Sequence, residues 1–205
     1  MSDVYGPDDC FWKSCPQAYP QAGLWITACL SGLSHDSDAA LWLNLGRVSG
    51  QRGIMASLFI IYHTQSGSCA RLARAAWAGA RRESSVTVCL RRAWDAGVAD
   101  LASADGLLLV TAENSGSLSG GMKDFLDRSF YPAIDRGLVL PYALVVSAGN
   151  DGRGAIRQAE RILSGMPFPK AVESLVLRGE VNEDHLEACA EMGQAFAAGL
   201  EMGIY

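Results

Sequence analysis

From Met55 to the carboxyl terminus, five short apolar runs alternate with segments whose apolar residues recur at helical spacing. No other feature limits the fold as much. Leu58-Phe59-Ile60-Ile61-Tyr62, Val86-Thr87-Val88-Cys89-Leu90, Leu107-Leu108-Leu109-Val110, Tyr142-Ala143-Leu144-Val145-Val146 and Leu175-Val176-Leu177, with Val172 just before the last, have the length and continuity of strands buried on both faces. Between them, Cys69, Leu72, Ala73, Ala76, Trp77 and Ala80 lie on one helical stripe. Further helices are predicted at Val98–Leu101, Met122–Ile134 and Ala155–Leu163, the last stopping at Gly165. The final helix carries a stripe from Leu186 to Leu200, with Asn182 as its expected N-cap and Glu183 and Asp184 in the favourable first turn. Strands and helices alternating in this way predict a parallel α/β sheet covered on both faces. Right-handed crossovers leave few strand orders for it. On open sheets of this kind ligands sit beyond the carboxyl ends of the strands, where the strand order reverses. The loops after the first, third and fourth strands are therefore where chemistry is expected.

Residues 1–54 read differently. They hold Trp12, Trp25 and Trp42 of the five tryptophans and Cys10, Cys15 and Cys29 of the six cysteines, with no long amphipathic period. Leu24–Leu30 could form a short strand, and the acidic start and interrupting Gly32 and Ser34 do not suit a secretory signal. We expect 1–54 to be an amino-terminal extension, dispensable for folding or serving as a lid or dimer arm, and 55–205 to be a complete domain. Met55 is also a candidate translation start. The chain is 49% hydrophobic with a formal net charge of −5, which gives no basic bias for nucleic acid, and no apolar run is long enough to span a membrane. The cysteines form no CxxC pair, and with His35, His63 and His185 they show no metal-ligand spacing. Cys69, Cys89 and Cys189 fall inside apolar-periodic segments and read as small buried hydrophobes, in a reducing, cytoplasmic setting.

The loop after the first strand reads His63-Thr64-Gln65-Ser66-Gly67-Ser68-Cys69 and runs straight into a helix. A helix start offers unpaired N–H groups and partial positive charge, which suit a phosphate. Thr64, Ser66 and Ser68 add hydroxyl donors, and Gly67 permits a tight turn. No P-loop lysine follows, so a phosphate monoester fits better than a nucleoside triphosphate with Mg²⁺. His63 reads as a hydrogen-bonded structural histidine.

Thr64, Ser66 and Gly67 resemble the T-x-T-G-x-T phosphate loop of flavodoxins, with Cys69 where that family has threonine. The loop after the third strand, Thr111 to Arg128, is similar to the PEYNGSxPGxLKNxxD segment of NAD(P)H-dependent FMN reductases at Glu113, Asn114, Gly116, Ser117, Gly120, Lys123 and Asp127. Ala112 and Ser119 stand in for its prolines and Ser115 for its small or aromatic position. The resemblance covers essentially all of 55–205. It implies a flavodoxin-like three-layer sandwich, a five-stranded parallel sheet of order 2-1-3-4-5 with helices on both faces. It implies FMN held at its phosphate by Thr64, Gln65, Ser66, Gly67, Ser68 and Cys69. The ring would be bordered by Ala112, Glu113, Asn114, Ser115, Gly116, Ser117 and Leu118, with Ala148, Gly149 and Asn150 of the fourth-strand loop as a third wall.

The activity this resemblance implies is hydride transfer from NADPH or NADH, through bound FMN, to a small acceptor such as a quinone or a flavin. No general base is expected, because the cofactor carries the electrons. The alternative is a flavodoxin-type electron carrier without NAD(P)H activity, and a third reading is an interaction module that has lost its flavin. Carriers usually stack aromatic rings on the flavin and present an acidic rim. Here Glu113–Gly121 and Ala148–Gly154 hold no aromatic residue. Lys13, Arg47 and Arg52 of the 17 cationic residues, and five of the 22 acidic ones, precede Met55, leaving the domain at about −3, which steers a cationic partner only weakly. Arg153 could meet a nucleotide phosphate, and the resemblance also allows a homodimer.

Overall fold

The computed structural model describes residues 55–205; the expectations for Leu24–Leu30, the three amino-terminal tryptophans and Cys10, Cys15 and Cys29 lie outside the described residues. The chain runs β1 (Ala56–Tyr62), α1 (Ser68–Ala80), β2 (Val86–Arg92), α2 (Val98–Ala102), β3 (Gly106–Asn114), β4 (Ser117–Leu118), α3 (Gly120–Asp135), β5 (Tyr142–Ala148), α4 (Arg153–Gly165), β6 (Leu175–Arg178) and α5 (Glu183–Glu201). Five strands pair in parallel in the order β2-β1-β3-β5-β6, while β4 pairs antiparallel with β3 off that path. Leaving the two-residue β4 aside, this is the expected 2-1-3-4-5 order. The fold is a flavodoxin-like three-layer α/β sandwich.

Side chains alternate between sheet faces, so each apolar run feeds two cores. Leu58, Ile60, Leu108, Val110, Ala143 and Val145 pack under α1 and α5, with Leu72, Ala76, Phe196 and Ala197. Phe59, Ile61, Leu107, Leu109, Leu144 and Val146 alternate with them and are equally buried, as are Met122, Phe125 and Leu126 of α3. Burying each of these larger side chains favours folding by about 1.5–3 kcal/mol, which is why β3 carries no polar residue before Thr111. α1 and α5 approach closely because glycine sits at the crossing. A Cβ on Gly79 would fall 1.9 Å from the Ala190 carbonyl oxygen, and one on Gly193 would fall 2.0 Å from that of Ala76.

β3 runs four residues past its apolar stretch. Thr111 and Ala112 continue the ladder with Val146 and Ser147, and Glu113 and Asn114 then pair with β4. The turn between β3 and β4 is Ser115-Gly116, with φ of 51° and 72°. Positive φ at both central residues of a two-residue loop is the type I′ hairpin turn, whose twist suits the flanking strands. Among the described residues no helix is long and apolar enough to cross a membrane.

Candidate functional site

From β1 the chain winds outward to β2, then returns to the other side of β1 to form β3. The crossovers leave this point on opposite sides, so a crevice opens beyond the carboxyl ends of β1 and β3. A cleft of about 300 Å³ occupies it. The loop after β1 contributes His63, Thr64, Gln65, Ser66, Ser68 and Cys69; β3 contributes Ala112, Glu113 and Asn114; β5 and its loop contribute Ser147, Ala148 and Gly149. Gly179, just past β6, completes the lining.

The loop after β1 is held in shape by its own residues. Gly67 takes φ 92°, a left-handed conformation that a side chain would strain, and the Thr64 hydroxyl accepts a hydrogen bond from the Gly67 N–H at 3.0 Å. Ser66 donates to Ser68 at 3.1 Å. Among the described residues, no side chain caps the start of α1. At α5 and α4 such groups are engaged: Asn182 caps α5 by accepting from the His185 N–H, and Asp151 accepts from the Arg153 N–H in the first turn of α4. α3 begins at Ser119, whose hydroxyl turns inward instead. The first N–H groups of α1, without a side-chain partner among the described residues, thus lie beside three neutral hydroxyls. Among the described residues, no Lys or Arg lines the cleft. A phosphate monoester fits this donor set.

Cys69 joins the core cluster beneath α1, and burial pushes its thiol up to about 12. Its thiol therefore stays neutral at the start of α1.

Glu113 is the tie between the two ring-side walls. Its carboxylate accepts the Gly152 N–H at 3.2 Å, holding the β5–α4 turn against β3. Asn114 donates to Gln65 at 3.1 Å, joining the β3 wall to the phosphate loop. Gln158 of α4 accepts the Leu118 N–H at 3.0 Å and anchors β4.

Six of the residues named from sequence lie outside the lining. Gly67 forms the turn under the phosphate loop, Ser115 and Gly116 make the hairpin tip, Ser117 and Leu118 are β4, and Asn150 follows the third wall. Leu118 is buried, pointing inward. Three lining residues were not among those named: His63, Ser147 and Gly179. His63 sits under the cleft, with Nδ1 2.9 Å from the Ser119 hydroxyl, which in turn lies 2.8 Å from the Thr111 hydroxyl. All three residues are buried, and burial lowers the His63 pKa, favouring the neutral ring. Trp94, largely exposed, packs edge-on against His63 at 5.6 Å.

A family model described as NADPH-dependent FMN reductase matches residues 69–182, more than half of the chain. The chain belongs to the NADPH-dependent FMN reductase family. The match spans the β3, β5 and β6 walls of the cleft and begins at Cys69, one residue after the hydroxyls of the phosphate loop. Among solved structures, a flavodoxin from the domain Archaea is 18% identical with a TM-score of 0.60, covering 70% of this chain and 98% of that one. The WrbA-like flavodoxin of Agrobacterium tumefaciens is 17% identical with a TM-score of 0.58, covering 72% and 98%. Rubredoxin:oxygen oxidoreductase from Desulfovibrio gigas is 16% identical with a TM-score of 0.61, and this chain spans only 37% of its length. Such identities show the fold. No match was found among curated proteins. Family and fold together give the general function: FMN binding in the service of electron transfer.

Proposed function

We propose that residues 55–205 bind FMN with its phosphate at the start of α1 and its ring between the β3 and β5 walls, and that the domain transfers electrons as a flavodoxin-type carrier. The uncapped, hydroxyl-lined start of α1 is the observation that carries the cofactor assignment. The carrier reading draws support from single-domain flavodoxins, which this fold covers over almost their whole length. When bound, FMN supplies one- and two-electron redox chemistry. The chain's own residues orient it: Thr64, Ser66 and Ser68 at the phosphate, and Glu113, Asn114 and Gly149 at the ring walls.

A second reading keeps the same site and adds NAD(P)H. Among the described residues no Phe, Tyr or Trp lines the cleft, so the ring would keep a face open for a nicotinamide and then for a small acceptor such as a quinone. The family's description also names NADPH.

Two measurements separate these readings. Ligand released from the purified full chain is identified by mass, and FMN and riboflavin are titrated into the apoprotein. FMN should bind at least tenfold tighter, and Ser66→Ala should weaken it by about 1–2 kcal/mol, the worth of a hydrogen bond to a charged group. Equal affinity for riboflavin would misplace the phosphate. The yellow protein is then mixed anaerobically with NADPH and with NADH. Photoreduction without bleaching by either nucleotide over minutes supports the carrier; fast bleaching at sub-millimolar nucleotide makes the protein an NAD(P)H oxidoreductase.

A further inference from the structure

α4 presents a charge pattern opposite to that of the chain. Its buried side is Ala155, Ala159 and Leu163. At 100° per residue, Arg153, Arg157 and Arg161 fall together on the opposite, solvent-facing side. All three are exposed, and they extend over about 12 Å of helix. Arg153 has only a loose pair with Asp151 at 3.6 Å, and its side chain is 77% exposed. Among the described residues, the guanidinium groups of Arg157 and Arg161 have no partner. The single acidic residue of the helix, Glu160, is occupied by Lys170 at 3.1 Å and by the Ser174 hydroxyl at 3.2 Å. The acidic surplus lies elsewhere, notably on α5 with Glu183, Asp184, Glu187, Glu191 and Glu201.

The position of this stripe gives it meaning. α4 starts immediately after Gly152, which the cleft residue Glu113 holds, and Ala148 and Gly149 just before it line the cleft. One end of the stripe is therefore at the rim of the cleft, where the positive pole of the helix adds to it. A single phosphate needs a few ångströms of cationic surface. A 12 Å row of exposed guanidiniums, two without a partner among the described residues and the third only loosely paired, matches an extended anionic face and would steer it toward the cleft.

We propose that the outer face of α4 is the docking surface for an acidic redox protein that exchanges electrons with the cleft. This rests on the FMN electron-transfer reading of the site. The acidic partner is the reverse of what the net charge of −5 would select.

The test uses the full-length holoprotein and two small oxidants of opposite charge, ferricyanide and hexaammineruthenium(III). Each reduced flavin gives one electron to each of two oxidant ions and releases its protons to buffer. The rate with ferricyanide should fall several-fold as ionic strength rises from about 10 to 200 mM, while the rate with hexaammineruthenium(III) should rise. The R153Q/R157Q/R161Q variant should lose or invert both slopes with its FMN affinity unchanged. The opposite slopes in the unmodified protein would mean that net charge steers approach, and would overturn the proposal. A flavin-independent arm measures binding of a fluorescein-labelled dodecaglutamate peptide, expected to weaken at least tenfold in the variant. Equal binding to both proteins overturns the docking surface. If the chain takes up no FMN, the cofactor reading fails, and the peptide arm alone decides the docking surface. If the variant instead loses its preference for NADPH over NADH while the salt slopes persist, the arginines serve a nucleotide phosphate and the proposal falls.

Discussion

At the scale of single residues, His63 has the most testable chemistry. It ties the end of β1 to Ser119 at the start of α3 and, through that hydroxyl, to Thr111 of β3, so it braces the floor of the cleft. None of these contacts is charged, and burial alone lowers its pKa from the ordinary 6.5. The unfolded chain takes up a proton near that value, while the native ring resists it. Stability from this group is therefore full above about pH 6.5, declines as pH falls toward the native pKa, and levels off below it, with a slope of at most about 1.4 kcal/mol per pH unit. Urea unfolding of the protein and of His63→Gln between pH 5.5 and 7.5 should show a steeper loss toward acid in the protein than in the variant. Parallel curves would mean that His63 is not desolvated. The histidine's bonded, structural character was legible from its place before the phosphate loop. Its place in the cleft lining was not, because that depends on Ser119, 56 residues away, turning its hydroxyl inward. Gly179 was missed for a related reason. The loops after the first, third and fourth strands were singled out, yet β6 lies directly beside β5, and the turn after β6 reaches the same edge of the sheet.

Among elements, α4 and the β3–β4 hairpin meet backbone to backbone. Gly154 lies so close to the hairpin tip that an added Cβ would fall 1.8 Å from the Gly116 carbonyl oxygen. Both partners there are backbone, so no side chain can swing away. Gly154→Ala should push the helix and hairpin apart, costing about 1–3 kcal/mol as an overpacked site does. For a domain of this size that corresponds to about 3–10 °C in Tm. Gly120→Ala is the control. It has ordinary φ and open space around it, so it should be neutral or stabilising by up to about 1 kcal/mol. Equal midpoints for the two variants would show that the close approach relaxes without cost. The strands were legible because five apolar runs leave no other explanation for their length. Their ends were not. β3 continues through Thr111–Asn114 on backbone pairing alone, where side chains meet the cleft and need not be apolar. The hairpin escaped notice because Ser-Gly is a weaker turn signal than the Asn-Gly or Asp-Gly that positive φ favours.

For the whole molecule, the boundary at Met55 is the decisive structural expectation. β1 begins at Ala56 and is an interior strand, paired with β2 on one side and β3 on the other. Its start is tied down within the domain: the Ser57 N–H donates to the Asp105 carboxylate at 2.8 Å, and the Asp105 N–H donates to the Ser57 carbonyl at 2.8 Å. Met55 itself is exposed. At the other end, α5 packs along α1 and buries Cys189, Phe196 and Ala197 before the chain stops. All five parallel strands, both helical layers and every residue lining the cleft come from this one compact unit, Met55–Tyr205. A core closed in this way has no missing strand between its interior members. We therefore propose that 55–205 folds by itself and holds the cofactor without the first 54 residues. Expressed alone, it should unfold in one cooperative transition within about 2 °C of the domain's transition in the full chain, a shift below ~1 kcal/mol for a domain of this size. Its FMN affinity should match that of the full chain within twofold. A midpoint lower by several degrees, with FMN weakened in step, would show that residues 1–54 pack on the domain and that its core needs them. Loss of FMN without loss of midpoint would place part of the binding surface in the extension, and the cleft assembled from 55–205 would then be incomplete.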